Sequence, residues 1–468
     1  MARERPVPTS HESRFGLEEL FFSRTDRKGH IRSGNDVFVR VSGWPQDTLI
    51  GAAHNIVRHP DMPRAAFQLV WDQLLADRPV AAYVKNMARD GSYYWVMATI
   101  VPHDGGFLSV RLKPTAPHFD AAQALYAAVR AVELELEAEG TPVDEVIAAS
   151  MPVLVRGLSD AGFRDYAEFM RAALPAELSN RDAAVTDDRL VGSDTGLALL
   201  GKHIDGLFAT VEQYVDCHAA VHTGLEAVRS FAEGIRLGAM NTLLAAVRLD
   251  SRAATLGAVA DLMGQSASAV AAEAAKLRVE AEPILELLHA VAFQMSLAKV
   301  QADMARFFAL EMEDGAGEGA AVRELDGLVG MVSGAVTGVL DLRTALEGQL
   351  PQLRSSIEDL ERRIGALRNL EVAGRIEVAR TDDAARVVTM FNEVGSELER
   401  VGERIGQMHK AIDRSQVGVD REALERDGRR AREESAELCA ACELSLAETA
   451  AAADPTESSA SAQSDPPR

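Results

Sequence analysis

The chain has 468 residues, with 49 Lys+Arg against 71 Asp+Glu, a formal charge of −22, 47% hydrophobic residues and only 5% aromatic ones. That charge excludes general nucleic-acid binding, which needs basic patches that displace counterions, and docking on an anionic membrane face. The length allows about two to four domains, and scarce aromatics with abundant Ala, Leu, Glu and Arg point to extensive helix.

The N-terminus, MARERPVPTSHESRFG, has no apolar core of a secretory signal. No uninterrupted apolar run approaches the roughly 18 to 20 residues of a membrane span. Three cysteines (Cys217, Cys439, Cys442) cannot build a disulfide framework. A soluble, cytoplasmic protein is expected.

The first 120 residues hold all three tryptophans (Trp44, Trp71, Trp95) in short segments separated by turns. LFFSRTD and HIRSG read as two strands joined by a DRKG turn. NDVFVRVSG follows as a short helix with Asn35 placed to cap it. In MPRAAFQLVWDQLLAD, Ala66, Phe67, Val70, Trp71 and Leu74 recur at helical spacing, with Pro63 near the start. VAAYVKNMA and YYWVMATIVP form a hairpin across an Asp-Gly turn. FLSVRLKP supplies a fifth strand. The order β-β-α-α-β-β-β is that of a PAS domain, an α+β fold with a five-stranded antiparallel sheet, here over residues 14–117.

The stretch GAAHNIVRHPDMPRAAFQLVWDQL, with NDVFVRVSGW before it and VKNMARDGSYYWVMATIVP after it, resembles the PAS sensor of bacterial aerotaxis receptors over residues 17–116. Its N-x-V-R-H-P-D-M-P core is long and unusual. The resemblance implies a pocket that holds FAD non-covalently and reads cellular redox state. The positions matching the family's flavin pocket are Asn35, Arg58, His59, Asp61 and Trp71, and Asn86 lies on a central strand where such domains place an amide. The residue types suit a flavin, which needs a flat apolar slot, amides for the ring edge and cations for charged parts. Arg58 is a permanent forked donor, His59 titrates near neutrality, Asp61 can orient either cation, and Trp71 offers a stacking wall. Haem b with His54 or His59 as axial ligand, or an empty pocket with Arg58 and Asp61 as a structural ion pair, fits the spacing equally well. Only the resemblance separates them. No cysteine lies in this region, so a light-driven flavin–thiol adduct is excluded.

From residue 118 to 178 a helical connector is expected, beginning with FDAAQALYAAVRAVELELE. Polar breaks at 179–196 and 311–320 frame two helical hairpins, 195–310 and 321–425, and residues 443–468 read as a disordered tail. The hairpins carry an internal repeat, 235–264 against 367–395, aligned by Arg248 and Arg380. The second copy also resembles the signalling tip of chemoreceptors through Ala373, Ile376, Glu377, Ala379 and Arg380, then Val387, Val388, Phe391, Glu393 and Val394. It departs from that pattern in lacking the turn glycines and in a spacing one residue short. The first copy has Ala245 where the glutamate belongs. By that resemblance Glu377 and Arg380 contact a chemotaxis kinase or its coupling protein. Apolar heptad spacing suggests a seam through residues 195–425 that a homodimer would cover, or an intramolecular four-helix bundle in its place.

Cys217, His218 and His222 share one predicted helix, with the histidines at i,i+4 as a metal site would need, yet no second ligand cluster accompanies them. Cys439 and Cys442 lack the βαβ context of a redox pair. No Walker loop, G-x-G-x-x-G, H-E-x-x-H or G-x-S-x-G occurs. The expectation is a non-enzymatic, redox- or oxygen-sensing signal transducer with PAS-bound FAD. The alternative is a PAS and coiled-coil scaffold without cofactor.

Overall fold

A computed structural model of the chain describes residues 6–185, 195–246, 254–314, 319–379, 385–416 and most of 422–440. The alternation seen near the N-terminus resolves into strands β1 (Phe21–Asp26), β2 (Ile31–Gly34), β3 (Val80–Met87), β4 (Tyr93–His103) and β5 (Gly106–Leu112). They form one antiparallel sheet in the order β2-β1-β5-β4-β3. The β1–β2 turn is closed by Asp26, whose carboxylate accepts the Lys28 and His30 amides at 2.9 Å, and Gly29 takes the left-handed φ of +79° that the turn requires.

Period-2 alternation gives the sheet two faces. Phe21, Ser23, Asn86, Ala98, Ser109 and Arg111 point inward, toward α1 (Asp36–Ser42), α2 (Gln46–Leu49), a 3₁₀ turn (His54–Val57) and α3 (Arg64–Leu75). The sequence reading anticipated α1 and α3. It missed the two four-residue elements between them, which are too short to show helical periodicity.

The outer face carries Phe22, Tyr83, Trp95 and Leu108. Its β3–β4 side is covered by α4 (Pro117–Ala138) and α6 (Tyr166–Ala184), with α5 (Val143–Asp160) packed on α3 and α4, and Tyr83 and Trp95 each pack on Phe119 at 5.5 and 5.3 Å. The expected connector thus folds back on the sheet. Two buried carboxylates fasten it. Glu133 accepts the Arg64 and Ala65 amides at 2.8 and 3.0 Å, supplying the cap that Pro63 cannot give α3. Glu177 accepts the Thr115 and Ala116 amides just before α4 and the Tyr83 hydroxyl at 2.7 Å.

Beyond residue 195 lie α7 (Gly196–Phe208), α8 (Val211–Ala246), α9 (Ala254–Asp314), α10 (Gly319–Ala379) and α11 (Ala385–Ser415). The described chain divides into two compact units. The first comprises 1–206, 295–337 and 420–468, and the second 207–294 and 338–419. The second unit is a four-helix arrangement. Gly224 of α8 meets Met408 of α11, Ala239 of α8 meets Gly264 of α9, and Arg354 of α10 pairs with Asp413 of α11 at 2.6 Å. Leu225, Val228, Leu350, Ile357, Leu360, Val401 and Ile405 are buried between helices of one chain. The apolar seam offered as the reason for a homodimer is therefore covered intramolecularly.

Two helical segments, Gly257–Met312 and Ala321–Ala379, are long and apolar enough to cross a membrane by length and composition, where the sequence reading expected no such span. Of their most apolar windows, 67% and 56% are buried within the protein.

Candidate functional site

Between the inner sheet face and α3 lies a cavity of about 160 Å³. Phe67, Val70, Trp71, Leu74, Val84, Ile100 and Phe107 supply apolar walls, with Trp71 edge-on to Phe107 at 5.9 Å. Gly29 passes close enough that a Cβ there would lie 3.4 Å from the Trp71 ring.

Of the six residues singled out by sequence, three line this cavity. Arg58 stands at its edge, bridged through its backbone to Asn86, with its guanidinium 4.2 Å over the Phe67 ring and donating to the Met62 carbonyl at 3.1 Å. Asn86, buried on β3, an edge strand of the sheet rather than the central one expected, and Trp71 complete the trio. His59 and Asp61 lie off the cavity. Arg58 has extended backbone (φ −74°, ψ 124°), and extended chain throws consecutive side chains to opposite sides. His59 is buried and accepts the Asp61 amide on Nδ1 at 3.1 Å, while Asp61 pairs with Lys85 at 2.6 Å in a separate cleft shared with Tyr93 and Trp95.

Asn35 is also elsewhere. It occupies the N-cap position of α1 but makes no side-chain cap. Its Oδ1 accepts the Phe22 amide at 3.1 Å, and its Nδ2 donates to the Leu20 carbonyl and to Glu311.

Sequence reasoning missed the strongest charge in the cavity. Arg111, 4% exposed, donates to Ser23 Oγ at 3.0 Å and to His54 Nε2 at 2.7 Å, and no carboxylate among the described residues neutralises it. Burial pulls its guanidinium down to about 10. Burial, then the Arg111 charge, hold His54 down to about 3, so the imidazole is neutral and acts as acceptor. Ser109 Oγ lies buried on the same wall with no hydrogen-bond partner. The signal was present in FLSVRLKP, where Phe107, Ser109 and Arg111 alternate on one face. With its Nε2 committed to Arg111 and Ser23, His54 is poorly placed as an axial haem ligand, and His59 is outside the cavity.

The depressed His54 value has a consequence for stability. Its contribution is complete above the ordinary histidine value of 6.5 and is lost as pH falls toward 3. A His54→Gln protein is expected to unfold with a shallower stability loss between about pH 6 and pH 4, read from urea midpoints. An unchanged acid slope would contradict this.

The other candidates resolve as follows. Glu377 is half-buried near the end of α10, beside exposed Val372 and Ile376, and Arg380 lies outside the described residues. His218 stacks with His222 at 6.1 Å on α8, and also with His289 of α9 at 3.6 Å, a third histidine the sequence reading did not connect. Cys217 is buried, and burial pushes its thiol up to about 11, so it is unreactive. Cys439 and Cys442, and the tail from 443, lie outside the described residues.

Residues 32–110 match a family described as PAS fold. The chain is 38% identical over 131 residues to the aerotaxis receptor of Escherichia coli (strain K12), covering 27% of this chain and 26% of that protein. It is 31% identical over 80 residues to a nitrogen fixation regulatory protein of Klebsiella pneumoniae, covering 17% of this chain and 16% of that one. A fungal LOV domain photoreceptor shares 21% identity over 23% of this chain and 81% of its own, with a TM-score of 0.18. The chain thus spans about a quarter or less of the curated relatives it matches. Its N-terminal region is a PAS domain similar to that of an aerotaxis receptor.

Proposed function

We propose that this chain is a cytoplasmic signal transducer whose PAS cavity holds the ring system of FAD and whose helices relay its redox state to a chemotaxis-type partner. The observation that carries this reading is the unneutralised, buried Arg111 beside the unpartnered Ser109 hydroxyl and the Asn86 amide, all set in an apolar slot. Burying a cation with no carboxylate beside it among the described residues, and a hydroxyl with no partner, is costly. A flat ring with polar edges and access to negative charge satisfies both.

A bound flavin supplies a redox couple. The chain's own residues do the rest. Trp71 and Phe107 would wall such a ring, Asn86 and Ser109 offer it polar groups, and Arg111, held by neutral His54, would favour negative charge beside it. Arg58, at the edge, suits a phosphate. At about 160 Å³ the cavity is smaller than the roughly 300 Å³ or more of a typical ligand pocket, so a bound FAD would extend beyond it, past Arg58 at its edge. The likeness to an aerotaxis receptor supports both the flavin and a sensory, non-enzymatic role. The exposed Val372 and Ile376 beside Glu377 support a protein partner at the tip of the second hairpin.

Arg58→Ala is expected to purify with about 10- to 150-fold weaker flavin affinity, the range for losing a hydrogen bond to a charged group. Arg58→Lys should retain part of it. Asp61→Ala, which removes the carboxylate's contacts with Lys85 and His59 outside the cavity, should keep full flavin content. Absorbance of the three variants beside wild type tests the reading. Equal flavin loss from Arg58→Ala and Asp61→Ala would contradict it, and a Soret band would replace flavin with haem. A protein with no bound chromophore would favour the scaffold reading.

A further inference from the structure

We propose that Asn35 and Glu311 form a coupling joint between the PAS sheet and the base of α9, Asn35 being a positioning residue rather than a cofactor ligand. The amide of Asn35, 3% exposed, is used up on three partners: the Phe22 N–H, the Leu20 carbonyl and Glu311 Oε2 at 3.0 Å. Glu311 Oε1 accepts the Asp36 amide at 3.1 Å, so a carboxylate on α9 caps α1 where the Asn35 side chain does not. One residue pair thereby ties the start of β1, the start of α1 and the end of α9.

The alternation of β1 gives this joint access to the cavity. Ser23 faces inward and accepts from Arg111, whereas its neighbours Phe22 and Arg24 face outward. Phe22 packs edge-on against Phe308, one turn before Glu311, at 5.1 Å, and Arg24 pairs with Glu324 of α10 at 3.2 Å. A displacement of Ser23 by a change of charge beside Arg111 is carried to Phe22 and Arg24, because the three share one extended backbone. β1 is then the strand through which the cavity state reaches α9 and α10. The direction of signalling rests on the flavin reading above; the joint itself does not.

Hydrogen–deuterium exchange on the full-length protein tests this, comparing wild type, Asn35→Ala and Glu311→Gln, each as purified and after dithionite reduction. Both variants are expected to keep wild-type flavin content. Exchange at residues 36–38 and 306–312 should be about tenfold or more faster, as loss of a charge-assisted hydrogen bond implies. Reduction should alter exchange at 306–312 in wild type and not in Glu311→Gln. Flavin loss from a folded Asn35→Ala protein would make Asn35 a ligand and overturn the proposal. So would wild-type exchange in Glu311→Gln, which remains decisive if Asn35→Ala fails to fold. A colourless wild type would sink the flavin reading alone, since the oxidised-state exchange comparison still judges the joint.

Discussion

Replacing Arg111 with methionine is expected to empty the cavity of flavin while leaving the apoprotein at least as stable as wild type. The two effects have opposite signs because the guanidinium plays opposite roles in the two states. Without a ligand it is a buried cation with no carboxylate beside it among the described residues, held by Ser23 and neutral His54. Replacing buried charge with an apolar side chain of similar length is often neutral or stabilising. Ser23 Oγ and His54 Nε2 already lie 3.2 Å apart and can satisfy each other once the arginine is gone. With a ligand, the variant forfeits a charge-assisted hydrogen bond of about 1.5 to 3 kcal/mol, roughly 10- to 150-fold in affinity. Flavin-to-protein ratio and apoprotein Tm, measured on the same preparation, check both halves. Full occupancy would remove Arg111 from the site. A markedly lower apoprotein Tm would make it a structural tether instead.

Removing the Glu177 carboxylate is expected to cause the largest loss of stability outside the sheet. Its side chain is fully buried and accepts from two backbone amides, the Tyr83 hydroxyl and the Thr115 hydroxyl at 3.4 Å. Glu177→Ala strands those donors in the interior, at about 1 to 3 kcal/mol for each unsatisfied group. A total near 3 to 5 kcal/mol is expected after partial relaxation. Glu177→Gln keeps one acceptor and should fall between. The pH dependence follows from burial, which pushes this carboxyl above its ordinary 4.5 despite the hydrogen bonds that pull it down. A carboxyl raised on folding contributes most below 4.5, and that part is lost as pH rises through the folded value. The Gln variant should flatten this limb. Urea midpoints across that range provide the measurement, and a cost below about 1 kcal/mol for Glu177→Ala would show that α6 is held by its aromatic contacts alone.

The strands and the longer helices of the PAS domain were legible because their signals are local. Alternating Val, Tyr and Trp around Asp90-Gly91 specify a hairpin, and Ala66, Val70 and Leu74 recur at helical spacing. The site was legible only in part. Arg58, His59 and Asp61 are adjacent in sequence and read as one cluster, yet extended backbone sends Arg58 to the cavity edge and His59 to the other side. Arg111 and Ser109 share a face of β5, but a charged residue on a core face declares itself only when the neighbouring strand and helices are in place. The carboxylates that fasten the connector are 69 residues from Arg64 and 62 from Thr115 in the chain, distances over which no short-range pattern speaks. Asn35 illustrates the same limit. Its position before α1 reads as a cap, but the competing Phe22 amide takes its oxygen, and a carboxylate from residue 311 takes over the capping.

The cavity's assignment as a flavin site stands or falls on what the protein carries. Full-length chain purified under air, denatured and cleared by filtration, should release FAD at close to one molecule per chain, identified by chromatography against FAD and FMN. A filtrate free of flavin, from protein that is folded and was supplied with FAD during purification, would contradict it.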